Sequence, residues 1–187
     1  AKMADILAQM GRWVPTYAVG NAVGPADLIY PEGSAGNPDP HIWFDVRRWM
    51  RVVSYIAKAL AERDPAHGAF YRANAEAYLR ELADLDAWVR EQVSKIPPEQ
   101  RVLVTAHDAF GYFARAYSFE VRGLQGISTV AEASIADVQE LADFIVRRRI
   151  RAIFVESSVP VRNIEAVQEA ARARGWEVKI GGQLYSD

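Results

Sequence analysis

The segment from Gly68 to Ile96 places the tightest constraint on this chain. It follows Asp64-Pro65, stops at Pro97-Pro98, and holds no glycine or proline between Ala69 and Ile96. Tyr71, Ala75, Tyr78, Leu82, Leu85, Val89, Val93 and Ile96 recur at spacings of three and four, which is the pattern of one helical face. At 1.5 Å per residue such a helix spans about 40 Å, more than a compact domain needs. It reads as a strut between two lobes.

The two flanks differ in pattern. Before the strut, Met3, Ile6, Leu7 and Met10 have helical spacing with Gly11 as a C-cap, and Val14–Val19 reads as a short strand. Residues 20–40 carry four glycines and four prolines and form an irregular connection. Asp45 then caps a helix with Val46, Trp49, Met50, Val53, Ile56, Ala57 and Leu60 on its apolar face. After the strut, strands and helices alternate. Strands are expected at Arg101–Thr105, Phe119–Leu124, Ala152–Val155 and Trp176–Ile180, with helices at Phe110–Tyr117, Ile135–Arg148 and Val161–Arg174. Alternation of this kind implies parallel βαβ units with right-handed crossovers. Ser128, Thr129 and Glu132 are expected to form a turn and cap before Ile135.

Composition narrows the chemistry. Half the residues are apolar and a quarter are charged, at a net charge of −2, so no basic face for nucleic acid is expected. The densest basic run, Arg147-Arg148-Arg149-Ile150-Arg151, suits the negative pole of a helix C-terminus. Without cysteine there are no disulfides, thiolate nucleophiles or Cys-type zinc sites. No nucleophile elbow, phosphate loop or dinucleotide fingerprint is present, and Gly123-Leu124-Gln125-Gly126 is too short to be one. The first residues lack an initiating methionine and a signal sequence, so the chain is expected to begin inside a longer protein.

Histidine carries the remaining signal. His41 follows Asn37-Pro38-Asp39-Pro40, a rigid approach, with Asp45 four residues on as a hydrogen-bond partner or helix cap. His107 lies two residues past a strand end, where ligand groups collect in open parallel sheets. Glu156 and Asp187 map to that same edge. For each histidine a packed role and a ligating role both fit. Glu156 fits a structural carboxylate that bonds loop amides or a catalytic one, and His67 reads as a surface residue. Imidazole with carboxylate suits zinc, manganese or ferrous iron. Two histidines and one aspartate leave a tetrahedral site one ligand short, to be filled by water or by a residue outside the chain.

Asp39-Pro40-His41-Ile42-Trp43-Phe44-Asp45, Thr105-Ala106-His107-Asp108-Ala109-Phe110-Gly111-Tyr112-Phe113, Gly126-Ile127-Ser128-Thr129, Phe154-Val155-Glu156-Ser157-Ser158 and Gly181-Gly182-Gln183-Leu184-Tyr185-Ser186-Asp187 occur in this order. Together they resemble the metal-specific solute-binding proteins of bacterial ABC importers, the zinc/manganese/iron cluster A-I family. The resemblance implies an α/β fold of two lobes with parallel sheets joined by a long rigid helix. The expected division is a remainder of the N-terminal lobe over 1–64, the linking helix over 65–98 and a C-terminal α/β lobe over 99–187. It implies His41, His107 and Asp187 as metal ligands, with a further histidine a few residues upstream of Ala1. It also implies a divalent ion (zinc or manganese, with iron as a third), an ABC permease as partner, and no enzymatic activity. The setting implied is periplasmic or extracellular, with membrane association through the partner or a lipid anchor outside these residues. The connection from Asn21 to Asn37 is short and lacks histidine, which leans toward the manganese/zinc/iron branch. The alternatives are a mononuclear metallohydrolase with Glu156 as general base, and an adhesion or interaction module that keeps the fold without the metal.

Overall fold

The structure is a computed structural model that describes residues 2–31, 34–127 and 133–186. Helix α1 covers Lys2–Met10, and the Gly11 amide closes it on Leu7 O. Val14–Val19 is not a strand: 15–18 lack regular structure and Val19–Ala22 is a single 3-10 turn. Val14 and Tyr17 are exposed, and an extended segment without a paired neighbour has no ladder to hold it. Asp45 accepts hydrogen bonds from the Arg47 and Arg48 amides at 3.0 and 3.2 Å, starting α2 (Val46–Arg63) as its capping chemistry requires.

The strut forms as α3, Gly68–Ser94, a helix of 27 residues. Its buried seam differs from the expected stripe. Ala75, Leu79, Leu82, Asp86, Val89 and Val93 face inward, whereas Tyr78 and Leu85 stay exposed. The steps alternate four and three, the spacing by which one helix packs along another. Asp86 sits in the middle of that seam because Arg47 Nε, Arg90 Nε and the Tyr117 hydroxyl all donate to its carboxylate, at 2.9, 3.0 and 3.0 Å. A search for apolar positions alone passes over it.

Beyond the strut, β1 (Val102–His107), α4 (Gly111–Tyr117), β2 (Glu120–Gln125), α5 (Ile135–Arg148), β3 (Ala152–Glu156), α6 (Val161–Arg172) and β4 (Lys179–Leu184) follow in turn. Parallel ladders join β1 to β2 and β3 to β4. Val104, Ala106, Ile145, Ile153, Ile164 and Val167 are among the residues that form the core under them. The α5 cap is Ser134, in a reciprocal box with Asp137, while Ser128, Thr129 and Glu132 lie outside the described residues. The last strand begins three residues later than expected, since the Trp176 indole is tied to Ile150 O at 2.6 Å. Gly181-Gly182 forms a bulge within β4: Ile153 pairs with Ile180 and Val155 with Gln183. A Cβ on Gly181 would lie 2.6 Å from the Phe154 ring.

Helix α4 stitches the two halves together. Its Tyr112 packs with Val23, Ile42 and Val52, and its Tyr117 with Val46, Val53 and Leu82.

Candidate metal centre

The pairings His107↔Gln125 and Glu156↔Leu184, with the His107 amide donating to Glu156 Oε1 at 2.8 Å, gather the carboxyl ends of all four strands at one edge. The 41–45 segment reaches this edge from the other half. The Phe44 and Phe110 rings stack with centres 4.3 Å apart, and the His41 and His107 rings lie edge-on with centres 5.4 Å apart. Two imidazoles bound through Nε2 to one tetrahedral zinc ion at 2.0–2.1 Å have ring centres about 5 Å apart. The observed spacing accommodates a shared ion.

Each ring is backed by a carboxylate. His41 Nδ1 is 2.6 Å from Asp39 Oδ1, and the same oxygen accepts the His41 amide at 2.9 Å. His107 Nδ1 is 2.6 Å from Glu156 Oε2. The hydrogen bond to Asp39 keeps the His41 proton on Nδ1 and leaves the Nε2 lone pair for a metal, and Glu156 Oε2 stands close enough to His107 Nδ1 to set the same tautomer there. All four side chains are buried, His107 completely. Burial pushes the Glu156 carboxyl up, but the side chains of His107 and Ser186 and the His107 amide outweigh it and hold it below the ordinary value. The neighbouring Asp108 carboxyl moves the other way, raised by burial and by the charge of Asp39 against the pull of His41 and His107.

The structure therefore brings His41 and His107 together, and Asp187 lies outside the described residues. Ser186, the residue before it, is buried and its hydroxyl is 2.8 Å from that of Ser158. Among the described residues no group of three or more His, Cys, Asp or Glu side chains is arranged to hold a metal. His67 is a surface residue paired with Asp64, as expected. Asp45, expected as a partner of His41 or a cap, is the cap, and Asp39 is the partner. The Asp-Pro-His spacing held that signal, because an aspartate two residues before an amide commonly accepts from it. Gly123 gives no such signal in the sequence. A Cβ there would lie 2.5 Å from Asp108 N and 2.6 Å from His107 C, so only glycine lets β2 approach the His107 backbone this closely.

Comparison with known proteins agrees with this geometry. A family model described as "ZnuA: Zinc-uptake complex component A periplasmic" matches residues 1–187. The manganese-binding lipoprotein MntA of Bacillus subtilis is 44% identical over 186 residues, covering 100% of this chain and 60% of MntA. The zinc-binding protein TroA of Treponema pallidum is 52% identical over 149 residues, covering 80% of this chain and 48% of TroA. The solved structure of periplasmic TroA from Treponema pallidum superposes with a TM-score of 0.96 at 45% identity, covering 100% of this chain and 66% of that one. The chain thus spans about half to two thirds of the length of these relatives.

Proposed function

The chain belongs to the periplasmic zinc-uptake component A family, and on that premise we propose that it captures a divalent transition metal outside the cytoplasmic membrane for delivery to an ABC permease. The observation that carries this reading is the pair of buried imidazoles 5.4 Å apart, each backed by its own carboxylate. His41 and His107 ligate through Nε2, Asp187 supplies a carboxylate, and a histidine upstream of Ala1 completes the set. Manganese and zinc are the cargoes in the names of the relatives, and iron suits the same donors. Imidazole nitrogens favour zinc over manganese, whereas a carboxylate suits manganese, so the site accepts both.

The setting follows from the same relatives, since one is a lipoprotein and the other was solved as a periplasmic protein. Among the described residues no helix is long and apolar enough to cross a membrane, which is compatible with attachment by a lipid or a partner. The metallohydrolase reading loses support from the position of Glu156. A general base must reach metal-bound water, yet this carboxylate stands at Nδ1, on the far side of the imidazole from Nε2.

Isothermal titration with zinc and with manganese tests the proposal. Sub-micromolar binding by the native sequence, abolished in the H41A/H107A double variant, is the expected result. Equal affinity in the double variant would refute it.

A further inference from the structure

We infer that Tyr112 is a positioning residue for the metal ligands: its buried hydroxyl closes the loop that delivers His41 and anchors it to the helix that follows His107. Resting on the metal-binding reading above, this inference assigns the site a part that lies outside any ligand set.

The geometry is specific. Ile29 and Asp39 face each other across the loop between them, and the Asp39 amide donates to Ile29 O at 2.8 Å. In an antiparallel pair the return bond would run from Ile29 N to Asp39 O. Here the Tyr112 oxygen is inserted into that bond, accepting from Ile29 N at 3.0 Å and donating to Asp39 O at 3.0 Å. A phenol contributed by α4 thus replaces one rung of a backbone ladder. Both capacities of the hydroxyl, one donor and one acceptor, are used.

Two further contacts fix the phenol itself. The Arg48 and Arg115 guanidinium groups lie over its ring at 5.7 and 5.5 Å from the centre. Both arginines also donate to Asp27 O, two residues before Ile29. Tyr112 is completely buried, so its oxygen has no solvent alternative. Burial, the leading effect on its acidity, raises the phenol's pKa and keeps the donating proton in place. The chain of contacts runs from Tyr112 to the Asp39 backbone, from the Asp39 carboxylate to His41 Nδ1, and so to the orientation of Nε2. His107 sits at the opposite end of the same short segment, five residues before Tyr112. One side chain therefore ties the loop that carries His41 to the helix that follows His107.

The test compares the wild type with Y112F, which deletes only the oxygen, and with I29P, which deletes the amide donor together with part of the packed Ile29 side chain. Leu28 already has the extended backbone (φ −78°, ψ 152°) that a following proline demands. V167A, in the distant core under the sheet, serves as a control for general destabilisation. Zinc affinity by competition titration is read together with the ring-nitrogen NMR shifts of His41 and His107 in the metal-free protein. The expected result is a loss of about tenfold in zinc affinity for Y112F, with altered His41 shifts and unaltered His107 shifts. I29P should move both readouts the same way, and V167A neither. Unchanged His41 shifts in Y112F and I29P, or an equal affinity loss in V167A, would overturn the inference. If the wild type binds no zinc while Y112F still moves the His41 shifts, the transport reading fails and the positioning role stands.

Discussion

Replacing Glu156 by glutamine keeps the shape of the side chain and removes one acceptor, which makes it a sharp probe of how His107 is held. The two carboxylate oxygens have separate tasks: Oε1 accepts the His107 amide at 2.8 Å and Oε2 meets His107 Nδ1 at 2.6 Å. Glutamine has one oxygen for these two donors. If that oxygen keeps the amide, the NH₂ group faces Nδ1 and donates to it, which moves the ring proton to Nε2 and blocks the metal-binding lone pair. If the oxygen turns to Nδ1, two N–H donors confront each other in a site that is 1% exposed, at a cost of about 1–3 kcal/mol. Both arrangements weaken binding, and loss of an orienting carboxylate generally costs about 10–100-fold in metal affinity. That corresponds to about 1.4–2.7 kcal/mol. Competitive zinc titration at neutral pH reads the affinity, and nitrogen NMR of the metal-free protein reads the His107 tautomer. An unchanged affinity with the proton still on Nδ1 would show that Glu156 does not set the His107 tautomer.

Three other substitutions complement this one. D39N should be milder than E156Q, about tenfold in zinc affinity, because one oxygen, Oδ1, serves both the amide and the ring of His41 and an asparagine oxygen can do the same; a loss larger than that of E156Q in the same titration would contradict this. G123A forces a methyl against the His107–Asp108 backbone, so thermal melts should show a loss of about 1–3 kcal/mol and zinc titration a weaker site. D86N should lower stability at neutral pH by about 1–2 kcal/mol in urea titrations, the modest figure reflecting the solvent access of Arg47 and Arg90. Burial pushes the Asp86 carboxyl up, but hydrogen bonds from Arg90, Arg47 and Tyr117 hold it below 3.8. The unfolded state then binds more protons than the native one in that window, so this contribution is fully present above 3.8 and disappears as pH falls through the lower folded value. The gap between wild type and D86N should close on acidification, and a gap that persists would contradict the assignment.

The sequence announces elements more readily than faces. The helices over 46–63 and 135–148 and the length of the strut follow from caps, prolines and periodicity, which act locally. The seam of α3 departs from the apolar stripe at two positions, with Leu79 and Asp86 in place of Tyr78 and Leu85, and a buried carboxylate is recognised only with its three donors in place. Gly181-Gly182 reads locally as a turn and becomes a bulge only against the Phe154 ring on a neighbouring strand. His41 and His107 stand out by their surroundings, but the strand-end edge collects only His107, Glu156 and Asp187, and the pairing of His41 with His107 across 66 residues is implied by the family resemblance alone. Their carboxylates were harder to assign. Asp39 is visible in its spacing from His41, while the strand ends place Glu156 at the edge of His107, 49 residues away, without marking it as the partner of that ring.

X-ray absorption at the zinc edge reads the donor atoms around the ion without assuming which residues supply them. Nitrogen neighbours are expected at about 2.0–2.1 Å, with the outer-shell scattering of at least two imidazoles. With His41 and His107 both replaced by alanine, any zinc that still binds should show the scattering of at most the one histidine upstream of Ala1. A shell without imidazole, or one unchanged in the double variant, would contradict ligation by these two histidines.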